Sequence, residues 1–487
     1  MAVRYSIIVL ALSILTGAPA ARGAMWGAQP IVVHEWGVEE FDWSGTMAAV
    51  TASEIPSYMY TDAHPGLAVP ISGKKTKDLP PDWGLRKKPV LYFYPGDLRS
   101  SWSNPIPIGV EVRFAQGHAT AWYPQVNVYR PEAVAAAGQA VDLQSWGRAA
   151  RTPGRNRPPM PDDTRMQLAW YSLTLSNKDP IAAPLPGADL AAGHWAKTAR
   201  EIPGAAYVSN GKEAEKYLFY EGATHERPAI AIVPRYDFRI SQGPRGQIVN
   251  VSDRTIFNVF AIYHSAGHTW VGYQSALEPM KSAADFGSGG VTIPTLSMPD
   301  FTAPKVLWTD LASLREATTA RLLSALTEGG AMTVQAREYR DPAEPQGPTT
   351  SSQLFPEEAA ALEKIWHHDF FDAGAADGLT IIYRQSPAQL DADMPLKLYT
   401  DMYHYFTLSR CGLVVVRNID LRLAIEANQK VLEAGATGWQ SNDKVRGDAL
   451  AFLHQHPGMA LSALAFVQKQ NNSPQCQALR EQLEAGH

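Results

Sequence analysis

Cysteine is scarce in this chain, which has 487 residues and two cysteines, Cys411 and Cys476. Two thiols are too few for a cysteine-rich zinc site, and their wide separation excludes a C-x-x-C redox motif. An oxidising compartment would allow them to pair. Two buried thiols that pack as small apolar side chains are the alternative. The sequence leaves both states open.

The chain also lacks an excess of positive charge. Lys and Arg total 43 against 48 Asp and Glu, which gives a net charge of −5 and an isoelectric point near 6.2. Such a balance supplies no basic field for phosphate backbones or anionic lipid, so nucleic acid is excluded as a predicted partner. Gly and Pro together make up about 15% of the residues, below the level of low-complexity chains, so a folded globular protein is expected.

Long apolar runs are missing after the first 25 residues, and no transmembrane segment is predicted there, since a spanning helix needs about 18 apolar residues or more. Residues 1–24 have the pattern of a secretory signal peptide. Arg4 supplies the positive region, Ile7 to Leu15 the apolar region, and Ala18-Pro19-Ala20 fits a cleavage site. The predicted location is therefore periplasmic or secreted.

Common catalytic and nucleotide-binding motifs are absent as well. The chain has no G-x-S-x-G elbow, P-loop, dinucleotide fingerprint or EF-hand loop. His34-Glu35 begins like the zinc motif H-E-x-x-H, but Val38 stands where the second histidine is required. Any metal at His34 would need ligands from elsewhere in the chain.

Short strand patterns dominate the first 300 residues. Runs rich in β-branched and aromatic residues, such as 90–94, 168–175 and 256–263, alternate with Pro, Gly, Asn and Asp. This spacing predicts a β-rich domain over 25–300, built as an antiparallel β-sandwich. Helical periodicity begins near Thr309 and strand patterns return at 379–384 and 411–417, which predicts an α+β segment over 301–419. Residues 420–487 are predicted to form a short helical C-terminal tail, so the fold class is β-rich α+β.

A dense polar and aromatic cluster begins at His34-Glu35-Trp36-Gly37. If 31–36 form a strand, His34 and Trp36 share one face and Glu35 points the other way. A carboxyl turned into a partly apolar cleft has a raised pKa and can act as a general acid. Glu35 is therefore our candidate catalytic group, with His34 assisting it. The alternative is that Glu35 lies at the surface or pairs with an arginine, while Trp36 packs in the core.

Glu35 alone does not complete a hydrolytic mechanism. A second carboxylate or a bound metal ion is needed, and Asp42, Glu111 and Glu221 are the candidate carboxylates.

Aromatic residues are plentiful, with 13 Trp, 19 Tyr and 15 Phe. Trp36, Trp122 and Tyr123 would suit a substrate-binding platform for sugar rings if they line a cleft, because their rings offer stacking faces and a polar edge. Core packing of a β-rich fold uses the same residues and is the alternative.

His264 and His268 flank a predicted hairpin turn, His264-Ser265-Ala266-Gly267-His268. A three-residue loop ending in glycine would place the two histidines directly across from each other. Opposed Cβ atoms about 5 Å apart allow both rings to bind one divalent metal ion, the cofactor that this pair predicts. Two exposed histidines at a hairpin end are the alternative.

Several phrases resemble a group of uncharacterised exported bacterial proteins that open with a His-Glu-Trp-Gly motif. They are residues 34–37, 89–94 (PVLYFY), 120–124 (TAWYP), 215–220 (EKYLFY) and 355–359 (FPEEA). The resemblance covers most of residues 34–360. It implies export and a shared fold, and it implies no particular reaction.

Two functions are consistent with these features. The first is an envelope or extracellular hydrolase that acts on a polymer such as a glycan, with Glu35 and His34 in catalysis. The second is a non-catalytic binding or scaffold protein of the envelope, in which the helical tail docks a partner. The surroundings of Glu35 in the folded chain should distinguish them.

Overall fold

The computed structural model of the protein describes residues 29–44, 55–62, 84–96, 102, 104–130, 166–181, 185–234, 246–265, 268–281, 295–297, 311–327, 352–372, 377–400, 404–438 and 442–485. The predicted signal peptide, residues 1–24, lies outside these ranges. None of the described helices is both long enough and apolar enough to cross a membrane.

The strands are β1 (Gln29–Asp42), β2 (Tyr60–Thr61), β3 (Gly84–Pro95), β4 (Ile106–Val112), β5 (Gly117–Tyr123), β6 (Val128–Tyr129), β7 (Leu168–Ser176), β8 (Tyr207–Ser209), β9 (Ala214–Glu215), β10 (Leu218–Thr224), β11 (Ile230–Pro234), β12 (Gly246–Asn250), β13 (Ile256–Ser265), β14 (His268–Leu277), β15 (Thr295–Ser297), β16 (Gly378–Arg384), β17 (Leu396–Thr400) and β18 (His404–Ile419). The helices are α1 (Trp195–Arg200), α2 (Leu311–Thr327), α3 (Pro356–His367), α4 (Pro387–Asp393), α5 (Leu421–Glu433), α6 (Asp443–Gln455), α7 (Pro457–Gln470) and α8 (Pro474–Ala485), and a π-helical turn (His368–Asp372) follows α3.

A nine-stranded central sheet organises the fold. Its strand order is β14-β13-β16-β18-β1-β3-β10-β5-β2. All neighbours are antiparallel except β1 and β18, which pair in parallel from Gln29 opposite His404 to Asp42 opposite Arg417. The prediction of a β-rich α+β fold is confirmed. The boundary predicted at residue 300 runs through this sheet, because β16 and β18 lie between strands of the N-terminal part.

A second sheet of six strands packs on one end of the central sheet. Five of its strands follow the order β17-β4-β7-β8-β9, and β6 pairs with β7. Apolar side chains from both sheets form a shared core, to which β1 contributes Ile31 and Val33 and β4 contributes Val110. This layer is the sandwich-like part of the fold. A third sheet has the strand order β11-β12-β15.

Helices cover the rest of the central sheet. On the opposite face, Trp36 and Val38 of β1 pack in a cluster with residues of α1, α2 and α3. On the face that also carries the six-stranded sheet, Phe41 and Trp43 pack in a cluster with β11, β12 and the C-terminal helices. The tail is helical as predicted: α5 begins after Asp420, whose Oδ1 accepts hydrogen bonds from the backbone N–H groups of Arg422 and Leu423.

Cys411 and Cys476 are both free and buried. Cys411 lies in the cluster beneath α1–α3, whereas Cys476 of α8 lies in the cluster on the other face of the sheet. Burial raises the pKa of the Cys411 thiol to about 11. Of the two states that the sequence allowed, the structure has the unpaired one.

We therefore expect two titratable thiols after unfolding without reductant, and few or none in the native protein, because both are buried. A thiol-reactive chromophore in guanidinium measures the count. The same protein unfolded with reductant, which is then removed, is the control. A lower count without reductant would contradict the free-thiol assignment.

Candidate functional site

Charged side chains form a band across one face of the central sheet. On β1 the odd-numbered residues Ile31 and Val33 join the sandwich core, and Phe41 joins the cluster beneath the C-terminal helices. Glu35 and Glu39 lie between them on the same face, since side chains alternate along a strand. Both are buried. The band therefore separates two hydrophobic cores, and each of its charges needs a partner.

Glu35 is held in a buried ion pair. Its carboxylate accepts hydrogen bonds from the Arg410 guanidinium, with Nη2 3.2 Å from Oε1 and a closer contact from Nε to Oε2, and the Tyr220 hydroxyl donates to Oε1. Arg410 also binds Asp391 through Nη1 at 2.9 Å. Glu35 is 1% exposed. The arginine-paired alternative for Glu35 is thus the observed one, and the predicted role as a catalytic acid in an open cleft is not supported by its surroundings.

His34 faces away from Glu35, as the strand alternation predicts. Its Nδ1 lies 2.6 Å from Oε2 of Glu358 at the start of α3, and the Tyr94 hydroxyl donates to the other oxygen of that carboxylate at 2.9 Å. The His34 ring also packs on Phe355, with ring centroids 4.4 Å apart. The sheet separates His34 from Glu35, so the prediction that His34 assists Glu35 is wrong.

The three predicted platform aromatics lie in the core. Trp36, Trp122 and Tyr123 are 1%, 0% and 2% exposed. Trp36 stacks on Tyr92 with centroids 5.9 Å apart, and Trp122 packs against Tyr129 at 4.5 Å. Their ring faces are covered by protein, so the prediction that they shape a substrate cleft is wrong and the core-packing alternative holds.

The three candidate second carboxylates are also buried. Asp42 accepts hydrogen bonds from the Ser44 hydroxyl at 2.7 Å and from Asn418 Nδ2 at 2.9 Å. Glu111 accepts hydrogen bonds from the Tyr399 hydroxyl at 3.0 Å and from the Tyr171 hydroxyl at 3.2 Å. Glu221 lies within β10. Asp42 and Glu111 therefore anchor neighbouring segments.

The His264–His268 hairpin has a different register from the predicted one. His264 pairs with Thr269 and His268 with Ser265, which leaves a two-residue connection. The predicted placement of the two histidines directly across from each other is wrong. His264 Nδ1 lies 2.9 Å from the Thr269 hydroxyl, and the side chain of His268 lies outside the described residues. In the part of the chain that the structure describes, no group of three or more His, Cys, Asp or Glu side chains is arranged so that it could hold a metal ion.

A second set of acids in the polar band converges on Arg86. Glu39 of β1 lies opposite Arg86 of β3 in the sheet register, and Nη2 of Arg86 is 3.2 Å from Glu39 Oε2. The same nitrogen is 3.4 Å from Asp393 Oδ2 at the end of α4 and closer still to Glu226, which follows β10. Three carboxylates thus surround one buried guanidinium, and we call these four residues the acid cluster.

Two glutamines hold Asp393 in the acid cluster. Gln385 Nε2 donates to Asp393 Oδ2 at 3.2 Å and lies 3.4 Å from Glu39 Oε2, while Gln389 Nε2 donates to Asp393 Oδ1 at 2.5 Å. The close approach of Gln385 depends on Gly412, because a Cβ atom at residue 412 would lie 2.9 Å from Gln385 Oε1.

Burial favours protonated carboxyls in the acid cluster. If all three carboxyls were ionised, their charge with that of Arg86 would be −2, a costly state in a buried site. Burial and the nearby Glu226 together raise the pKa of Asp393 to about 7, against the opposing effect of Arg86. Burial also raises the pKa of Glu39 well above its usual value. Glu226 is within hydrogen-bonding reach of both acids. At neutral pH, at least one carboxyl of the cluster therefore carries a proton.

The acid cluster opens onto a large cavity of about 1050 Å³. Glu226, Asp393, Gln385 and Gln389 line one side of it. Residues 251–256 line another side, and α7 and α8 contribute Leu461, Leu464, Gln468 and Arg480. Titratable groups with shifted pKa values in a cavity of this size mark the best candidate for a functional site.

Most residues of this site were not predicted from the sequence. Glu39 belongs to the N-terminal cluster that drew attention to Glu35, and a strand alternation through Gly37 would have placed both acids on one face. Arg86, Glu226 and Asp393 stand in unremarkable local sequence and meet only through the sheet pairing. No sequence signal marks their convergence.

Neither protein-family models nor curated proteins match this chain.

The Glu35–Arg410 pair predicts a stability effect. Glu35→Gln leaves the buried Arg410 without its main counter-charge, and removal of one partner of a buried pair typically costs about 3–5 kcal/mol. We expect a loss of about 3 kcal/mol in the free energy of unfolding, measured by urea denaturation. Glu481→Gln on the exposed face of α8 is the matched control and should change it by less than about 0.5 kcal/mol. A loss below about 1 kcal/mol for Glu35→Gln would rule out a stabilising pair.

The raised pKa of Asp393 predicts a pH-dependent stability. The folded protein holds this proton up to about pH 7, whereas an unfolded aspartate loses it near pH 3.9. The stability from this group is therefore complete below about pH 4 and is lost as the pH rises through about 7. Asp393→Asn removes the titration, so its free energy of unfolding should fall by roughly 2 kcal/mol less between pH 5 and pH 7.5 than that of the unaltered protein.

Urea denaturation at several pH values measures this difference. Asp448→Asn, at an exposed site on α6, is the control and should keep the pH dependence of the unaltered protein. Parallel profiles for Asp393→Asn and the unaltered protein would show that Asp393 titrates normally.

Proposed function

We propose that this chain is an exported hydrolase whose catalytic groups are Asp393 and Glu226. One observation carries the proposal: two carboxyls that both contact Nη2 of Arg86 face a cavity of about 1050 Å³. Burial and Glu226 raise the pKa of one of them, Asp393, to about 7. Paired carboxyls that share a proton are a known means of acid–base catalysis near neutral pH. Export rests on the signal-peptide pattern of residues 1–24.

The reaction needs one carboxyl in each protonation state. The ionised carboxylate takes a proton from water as that water attacks the substrate carbonyl, and the protonated carboxyl donates its proton to the oxygen or leaving group. Arg86 favours ionisation of Asp393, whereas burial favours its protonation. The balance of these two effects supports a singly protonated pair at neutral pH.

Positioning in this mechanism falls to the two glutamines. Gln389 donates to Asp393 Oδ1 and Gln385 to Oδ2, which fixes the plane of the Asp393 carboxyl. Because Gln385 also reaches Glu39, it couples the catalytic pair to the third acid. Asp393 lies at the end of α4, and both of its carboxyl oxygens accept hydrogen bonds. The carboxyl therefore has the fixed orientation that proton transfer requires.

The spacing of the carboxyls bears on the substrate. Glycosidases place their two carboxyls about 5–9.5 Å apart, to leave room for the sugar or for water. Asp393 and Glu226 lie within hydrogen-bonding reach, which suits attack on a planar carbonyl better. We therefore propose an amide- or ester-linked polymer as the substrate in place of the glycan that the sequence suggested.

A non-catalytic binding protein is the second candidate, and the contacts of Arg86 favour it. This one guanidinium reaches all three carboxylates, as expected for a structural ion network that braces the sheet. In that case the cavity binds a ligand without changing it.

Turnover by active-site variants separates the two functions. The unaltered protein should cleave members of a panel of quenched fluorescent peptides, with activity that falls above about pH 7 as Asp393 loses its proton. Asp393→Asn and Glu226→Gln should lower kcat by about 100-fold or more, while Asp448→Asn and Glu481→Gln, outside the cavity, should stay within about twofold. Reducing-sugar release from polysaccharides tests the glycan alternative on the same proteins.

Absence of turnover on both panels would favour the binding function. Equal activity of Asp393→Asn and the unaltered protein, both folded by circular dichroism, would dismiss the assignment of Asp393.

A further inference from the structure

Arg254 contributes an unpartnered cation to the cavity wall. It lies between β12 and β13 and is one of the residues that line the cavity, together with Asp393 and Glu226. Its Nη1 atom is buried and has no hydrogen-bond partner among the described residues. Because Nη1 has almost no exposed surface, a ligand in the cavity would reach Arg254 through its other guanidinium nitrogens. These also have no acceptor in the described part of the chain, and a bound anion would supply one.

The other charges of the cavity wall leave Arg254 available. Arg480 binds Glu484 with Nε 3.0 Å from Oε1, and Arg227 lies 3.7 Å from the same carboxylate. Asp253, the acid next to Arg254 in sequence, pairs with Lys469 of α7. Glu484 and Asp253 thus contact other cations. Arg254 has no carboxylate partner within the described part of the chain.

We infer that the cavity binds a substrate that carries a carboxylate near the bond to be cleaved, and that Arg254 binds this carboxylate. The inference rests on the proposed function and names its substrate class. The planar guanidinium suits a carboxylate, which can accept two parallel hydrogen bonds. A doubly charged phosphate is disfavoured relative to a singly charged carboxylate, because the ionised member of the Glu226–Asp393 pair lines the same cavity and repels the larger charge more strongly.

The reacting groups favour an acidic peptide over an acidic glycan. The closely spaced carboxyl pair suits hydrolysis of a planar amide, and an aspartate or glutamate side chain of the peptide supplies the carboxylate for Arg254. Arg254 is accordingly a specificity-determining residue and takes no part in proton transfer.

Binding of matched peptides tests the inference. The probes are a fluorescein-labelled peptide that alternates alanine and glutamate and its counterpart with glutamine in place of glutamate, both measured by fluorescence anisotropy at pH 7. Asp393→Asn serves as the background, because it should block turnover and leave binding intact. We expect the glutamate peptide to bind at least about tenfold more tightly than the glutamine peptide, the factor that a hydrogen bond to a charged group supplies.

Arginine variants assign that preference to Arg254. Arg254→Gln should abolish the preference, and Arg254→Lys should keep part of it, since the charge remains while the planar fork is lost. Arg446→Gln, at an exposed site on α6 outside the cavity, should retain the full preference. Melting temperatures establish that each variant is folded.

Equal binding of the two peptides, or a preference that survives Arg254→Gln, would overturn the inference. An oligogalacturonate that binds more tightly than the glutamate peptide, in a manner sensitive to Arg254, would overturn the peptide assignment. Failure of the proposed function gives a different result: the glutamate peptide binds through Arg254, and the unaltered protein leaves it uncut. Cleavage without a preference for acidic peptides would reject the inference and retain the hydrolase.

Discussion

The parallel pairing of β1 with β18 is the contact on which the rest of the structure depends. It joins residues 29–42 to residues 404–417 in the middle of the central sheet. Strands in such a position are covered on both faces and must be largely apolar. β18 meets this requirement with the run from Leu413 to Val416, all of which is buried. The polar band exists because β1 and β18 also carry Glu35, Glu39 and Arg410 into that environment.

Burial of these charges is tolerated because each has a partner. Glu35 is neutralised by Arg410, and the excess of acids around Arg86 is relieved by protonation. An ion pair of this kind contributes little net stability relative to apolar residues, but an unpaired charge in the same place is strongly destabilising. A slip of β18 by one residue would turn Arg410 to the other face and leave Glu35 alone. The charges therefore help to specify one register for the central pair.

Local features of the fold could be predicted from the sequence, and long-range ones could not. The alternation of His34, Glu35 and Trp36 follows from strand geometry alone, and the start of α3 at Pro356 follows from the preference of proline for the first helical turn. Pairing between β1 and β18 leaves no local signal, so the chain appeared to divide near residue 300. The His264–His268 hairpin shows how sensitive such reasoning is, since a loop shorter by one residue changes every cross-strand pair.

The candidate site was hard to predict for the same reason. Glu35 stood out because aromatic and histidine neighbours surround it in sequence, yet those neighbours lie on the other face of the sheet. Asp393 has an ordinary local sequence, and its raised pKa arises from burial and from acids that are distant in the chain. Shifts of this kind are a property of the folded arrangement.

The long separation of the paired segments also has a consequence for the order of folding. Glu35 and Arg410 are 375 residues apart. During synthesis from the N-terminus, β1 therefore has no β18 to pair with until most of the protein has been made. Closing so large a loop is slow, and until then β1 presents an unpaired edge that is prone to misassociation. Asp393 lies shortly before β18 in the chain, so the acid cluster cannot form until the chain is nearly long enough to include β18. The acid cluster is thus complete only when the central sheet is complete.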